Sequence, residues 1–217
     1  MAELLEDFAV RAECTDAVPF DRAVPSAASL LGLAPPGTGK TRVLAAVAVA
    51  LAAMGFPVAL AAPSRTARDL LLTVYREALA DMPLTGNHRR TADAATPTAL
   101  TLPQAYMRDR AYPDGATLIL DEVSMATLPA LIAAGRDASR VVADGDLWQL
   151  GPVVEGPTSA RAGQCVPPFG VALTGGRHSP ALVRLRHSRR MPAVVADVMR
   201  ALAYEPDGPL GHRVGGR

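Results

Sequence analysis

The sequence predicts an α/β fold: three layers, with a central, mostly parallel β-sheet covered by helices on both faces. Three observations carry this. Short apolar runs of strand length alternate with longer helical segments along most of the chain. A glycine-rich loop joins the first such run to the first helix. A later apolar run ends on two adjacent acids, as a strand does when it is buried along its length and meets solvent at its carboxyl end.

The elements follow in order. "SLLGLA" (29–34) reads as a strand, and a helix runs from Lys40 to about Met54. "VALAAP" (58–63) is a strand, and "TARDLLLTVYREALAD" (66–81) is an amphipathic helix. Residues 82–97 are polar and turn-rich and are expected to form a loop. "ALTL" (99–102) is a short strand, "ATLILDE" (116–122) a buried one, "LPALIAAGR" (128–136) a short helix and "RVVADG" (140–145) a strand. Residues 151–180 are rich in Gly and Pro and look irregular. "ALVRLR" (181–186) reads as a strand, residues 192–205 as a helix, and the rest as a loop. The domain spans 29–205, between an extension (1–28) and a tail (206–217).

Composition narrows the classes. A chain of 217 residues with 49% hydrophobic residues can bury one sizeable core. The net charge is +1, so any contact with nucleic acid must come from a local patch. Cys14 and Cys165 form no C-x-x-C and the four histidines show no metal-ligand spacing, which points to a reducing compartment without structural zinc. Residues 43–62 are uncharged over twenty positions, long enough for a membrane span. The run is mostly alanine and is broken by Gly55 and Pro57, so helix, turn and buried strand explain it better. The acidic start, "MAELLEDF", is unlike a signal peptide.

The loop "APPGTGKT" (34–41) nearly fits G-x-x-x-x-G-K-[ST], with Ala34 at the first glycine. Gly37 and Gly39 let backbone N–H groups approach phosphate oxygens, and the following helix offers its positive end. Pro35, Pro36 and Thr38 complete the loop. Lys40 is the only lysine of the chain. Its compact ammonium can bridge β- and γ-phosphates where a planar guanidinium cannot easily thread. The Thr41 hydroxyl would ligate Mg²⁺. ATP, or another NTP, is the implied cofactor. The bland alternative, a chance Gly-rich turn, does not account for the flanking strand and helix.

A parallel strand running into Asp121–Glu122 places both acids beside such a loop. Asp121 would hold Mg²⁺ through water, and Glu122 would orient or deprotonate an attacking water. In "ADGDLWQLGPV" (143–153), Asp146 and Gln149 sit where a side chain can sense the γ-phosphate. An amide suits this because it donates to phosphate and accepts from water. Trp148 is read as core or as a lip of the site. "VRLRHSRRMP" (183–192) clusters Arg184, Arg186, Arg189 and Arg190, either as a solvated basic edge or as contacts to phosphates and to a nucleic-acid backbone.

Together these motifs resemble superfamily 1 helicases. "APPGTGKT" resembles motif I, "AAPSRTARDLL" (61–71) motif Ia, "LDEVSM" motif II, "GDLWQLGPV" motif III and "RRMPAVVADVMRALAY" motif IV. The resemblance implies the first RecA-like P-loop NTPase domain of a motor that couples NTP hydrolysis to movement on single-stranded RNA or DNA. By motif, Lys40 and Thr41 would bind phosphate and Mg²⁺, Asp121 and Glu122 would serve metal and water, Gln149 would sense the γ-phosphate and Arg190 would contact it. Pro63, Ser64 and Arg65 would face nucleic acid. The helicases of plus-strand RNA viruses fit best, with the cellular Upf1-like branch as the alternative. A viral parent implies host cytoplasm, a replication complex and other replication proteins as partners.

The chain departs from the family pattern. No adenine-reading glutamine precedes the phosphate loop, where Arg22 stands instead. The sequence ends soon after motif IV, without a second RecA-like domain, so this chain is expected to bind nucleotide and not to unwind a duplex alone. A different P-loop enzyme, such as a ring ATPase or small-molecule kinase, would want other features in the place of "GDLWQL". A non-catalytic nucleotide- or RNA-binding module is the third possibility.

Overall fold

The computed structural model describes residues 29–33 and 36–146 and, beyond them, 149, 152, 181–184, 187–188, 190, 192, 194–195, 198 and 211–212. Its centre is a six-stranded sheet in the order β3-β2-β4-β5-β1-β6, parallel throughout. The strands are β1 (Ser29–Leu33), β2 (Val58–Ala62), β3 (Thr98–Thr101), β4 (Thr117–Leu120), β5 (Arg140–Gly145) and β6 (Ala181–Arg184). A separate pair, β7 (His187–Ser188) and β8 (Gly211–His212), is also parallel.

Strand periodicity divides the core in two. Val58, Leu60, Ile119 and Val142 point to one face, where they meet α1 (Lys40–Ala53), α2 (Arg65–Asp81) and α3 (Gly86–Ala94). Ala59, Ala61, Leu118, Leu120 and Ala143 point to the other, where they meet α4 (Leu102–Met107), the 3₁₀ turn Val123–Met125 and α5 (Leu128–Gly135). The result is the three-layer sandwich that the alternating pattern predicts. Leu60 is fully buried at the centre of β2. Leu60→Ala is expected to cost about 2–5 kcal/mol, read as a lower urea midpoint.

The alanine-rich run is resolved by α1 and β2. In α1, residues 44–49 and 51–53 are buried. The helix is enclosed by sheet, α2 and α3, so it has no polar stripe to display. Alanine supplies helix propensity and lets these elements approach closely. After Met54 the chain turns at Gly55, with φ +84°, and enters β2. Among the described residues no helix is long and apolar enough to cross a membrane.

Two expectations are corrected. Residues 82–97 are not all loop, because α3 occupies Gly86–Ala94. Ala92 is its one fully buried residue, so no apolar period announces it. Arg89 docks it instead, donating to the Leu79 and Met82 carbonyls at 2.7 Å each, at the C-terminal end of α2. Those carbonyls lack helical partners, and a cation suits that end of the dipole. Likewise β3 ends at Thr101, and Leu102 begins α4, where Gln104 Oε1 accepts the Thr101 N–H at 2.9 Å. The remaining limits differ slightly: α2 begins at Arg65, β4 stops at Leu120 and β6 stops at Arg184. Most of the expected helix 192–205 and of the tail lies outside the described residues.

Candidate functional site

Strands β4, β5 and β1 lie side by side, with β5 in the middle. Segments leaving their carboxyl ends converge, the usual place for a ligand in a parallel sheet. The first is the glycine-rich loop. Pro35 lies outside the described residues. Pro36 and Gly37 are half-buried, Thr38 is buried, and α1 begins at Lys40. Gly37 and Gly39 have φ of +77° and +92°, which L side chains rarely adopt. A Cβ on Gly39 would meet nothing within 4 Å, so conformation and not space requires glycine there. Gly39 is the N-cap of α1, without a side chain to cap it, and no acid sits in the first turn. The helix therefore presents its positive end at the loop. Lys40 and Thr41 are both half-buried in that first turn.

The second segment is the acidic pair. Asp121 follows β4 directly, and its N–H still bonds the Ala61 carbonyl at 3.0 Å, so β2 holds its backbone. Asp121 is 2% exposed. Glu122 then adopts φ +54°, ψ +39°. A left-handed non-glycine residue costs about 1–2 kcal/mol. The turn is held by its amide, which donates to Asp121 Oδ1 at 2.8 Å and to Asp144 Oδ1 at 3.3 Å. The Glu122 carboxyl is half-buried and lies above its ordinary range, because burial and the Asp121 charge disfavour ionisation, while Lys40 opposes both.

The third segment is the end of β5. Asp146 is buried, and its carbonyl accepts the Gln149 N–H at 3.3 Å, turning the half-buried Gln149 back toward the strand end. Trp148 lies outside the described residues. Arg190 is exposed, beyond β7, and no described interaction ties it to the loop.

Asp144 is the residue that sequence reasoning missed. It sits within "RVVADG", which was read only as a strand. It is 3% exposed, and its carboxyl is pushed well above the ordinary aspartate range by burial first, then by the charge and hydrogen bond of Asp121; Lys40 and the Glu122 N–H pull it down. Asp144 Oδ2 is buried without a hydrogen-bond partner. The available signal was an aspartate in the buried half of a strand whose residues between Arg140 and it are all apolar.

Pro63, Ser64 and Arg65 follow β2, at the same end of the sheet and on the far side of β4 from the loop. Ser64 and Arg65 are exposed and Pro63 is half-buried. Ser64 Oγ accepts the Ala67 N–H at 3.1 Å and so caps α2. Ser64→Ala is expected to cost about 1 kcal/mol in chemical denaturation, apart from any effect on ligand binding.

Among the described residues no three His, Cys, Asp or Glu side chains converge to hold a metal. The donors at hand, the Thr41 hydroxyl and the Asp121 carboxylate, are hard oxygens. They fit Mg²⁺, which keeps several waters and binds jointly with substrate phosphates. A cavity of about 530 Å³, lined by Phe56, Pro57, Tyr75 and Pro97 among others, lies at the opposite, amino-terminal end of the sheet.

The AAA domain family model matches residues 21–164. No curated protein matches the chain. Among solved structures, the arterivirus nonstructural protein 10 helicase in complex with DNA is similar at 23% identity and a TM-score of 0.56, over 93% of this chain and 46% of that one. A crystal structure of the arterivirus nonstructural protein 10 helicase is similar at 25% identity and a TM-score of 0.53, over 87% of this chain and 43% of that one. The PRRSV helicase is similar at 16% identity and a TM-score of 0.52, over 93% and 39%. The chain spans less than half the length of these helicases, and it shares the RecA-like fold that they contain.

Proposed function

This chain belongs to the AAA domain family, and on that premise we propose that it is the NTP-binding and NTP-hydrolysing motor domain of a superfamily 1 nucleic-acid helicase of the viral type. The observation that carries the proposal is the convergence of Lys40, Thr41, Asp121, Glu122 and Asp146 at the carboxyl ends of three adjacent parallel strands. In this reading the loop amides, the α1 N-terminus and Lys40 hold the triphosphate. Thr41 and Asp121 would hold Mg²⁺, which when bound neutralises phosphate charge. Glu122 takes the proton of the attacking water, Gln149 senses the γ-phosphate, and Arg190 reaches the phosphates from its own segment.

The track is single-stranded RNA or DNA, met by Pro63, Ser64 and Arg65. The DNA-bound arterivirus helicase supports a nucleic-acid track for this domain. A second RecA-like domain completes the nucleotide cleft, and other replication proteins and the host cytoplasm follow from a viral parent. The test is titration of residues 1–217 with Mg·ATP, followed by phosphate release with and without single-stranded RNA. Saturable binding with RNA-stimulated release is expected. Failure to bind any Mg·NTP at millimolar concentration overturns the proposal.

A further inference from the structure

Asp121, Glu122 and Asp144 come together near Lys40, and the reaction proposed above uses the first two. Asp144 is left over. Its place is set by register: Leu120 of β4 pairs with Ala143 of β5, so the next step along the ladder puts Asp121 and Asp144 side by side. On the other edge of β5, Asp144 pairs with Gly32 of β1, the strand that leads into the phosphate loop. Asp144 is thus the inner layer between loop and acids, beneath the groups that face a ligand.

We propose that Asp144 is a positioning residue: its carboxyl holds the Glu122 backbone in the left-handed turn and fixes the Asp121 carboxyl beside the phosphate loop. The inference rests on the nucleotide-site reading for its functional consequence and on geometry alone for its structural one. One amide, that of Glu122, is shared between Asp121 Oδ1 at 2.8 Å and Asp144 Oδ1 at 3.3 Å. The amide therefore has an acceptor on each of two strands, and the direction of the Glu122 side chain depends on both. The remaining oxygen, Oδ2, is buried without a donor. The group beside it is the Asp121 carboxyl, its neighbour at the end of β4. A ligand-facing carboxylate backed by a neighbouring group keeps its outer oxygen aimed at solvent and metal. Asparagine keeps the shape and the acceptor: its carbonyl can accept from Glu122, and its NH₂ can donate to Asp121. Valine fills the space, suits a buried strand and can do neither.

The experiment compares the full chain with Asp144→Asn and Asp144→Val by amide hydrogen exchange and by ADP titration with and without Mg²⁺. Protection at Leu118, in the middle of β4, reports that each variant is folded. In Asp144→Val the Glu122 amide is expected to exchange at least tenfold faster while Leu118 is unchanged. The gain in ADP affinity on adding Mg²⁺ should shrink about tenfold, and Mg²⁺-free affinity should stay within twofold. Asp144→Asn should retain Glu122 protection and most of the Mg²⁺ gain. Unchanged Glu122 exchange in Asp144→Val overturns the proposal. So does an asparagine variant as damaged as the valine one, which would make Asp144 a charged ligand. If the unaltered chain binds no ADP, the nucleotide reading fails, and Glu122 exchange still decides whether Asp144 positions the turn.

Discussion

Lys40→Ala is expected to weaken Mg·ATP binding at least a hundredfold, about 2.7 kcal/mol, as read by calorimetric titration. Two effects add. In the proposed site the ammonium would meet the β- and γ-phosphates, and charge-assisted bonds of this kind are among the strongest available. It is also the positive charge that favours the ionised forms of Glu122 and Asp144, against the burial and the Asp121 charge that disfavour them. Without it Asp121, Glu122 and Asp144 stand together with less compensation, and an approaching triphosphate meets their field. Lys40→Arg should fare little better, because a planar fork on a bulkier head does not replace a compact charge in the first turn of a helix. Binding within threefold of the unaltered chain would mean that the loop is not the phosphate site.

Glu122→Gln should separate binding from chemistry. Mg·ATP affinity is expected to stay within a few-fold, while RNA-stimulated phosphate release falls by about 10²–10⁴, the usual range for loss of a general base. The amide keeps the shape of the side chain and leaves the backbone bonds to Asp121 and Asp144 intact. The pH dependence has a definite sign. A base must be deprotonated to act, and burial together with Asp121 raises the Glu122 carboxyl. Release should therefore fail on acidification at a higher pH than an ordinary glutamate would impose. Turnover that survives Glu122→Gln would assign the base elsewhere, and a chain with no turnover to lose would be a binding module.

Much of the architecture was legible because it follows from two periodicities and a few special residues. The apolar runs at 58–63, 116–122 and 140–145 became β2, β4 and β5 with small changes at their ends. Gly37, Gly39 and Lys40 announced a strand-to-helix turn, and Asp121–Glu122 announced a strand end. The failures share one cause. Helix α3 has a single fully buried residue and is docked by Arg89 onto the end of α2, and α4 is a short helix whose start is marked by Gln104 bonding back to Thr101. Neither writes an apolar period into the chain.

The sequence by itself determined the layered α/β class, the glycine-rich turn between β1 and α1 and the pair of acids that closes β4. Those depend on local backbone conformation and side-chain chemistry, which neighbours along the chain dictate. Strand order was decided only in three dimensions, because packing places β5 between β1 and β4. Asp144 illustrates the consequence. Along the chain it is one polar residue in a strand, separated from Asp121 by a helix. In the sheet it stands beside Asp121 and under Glu122, because parallel strands bring residues distant in sequence into register, and a buried carboxyl acquires its role from the groups that register puts against it.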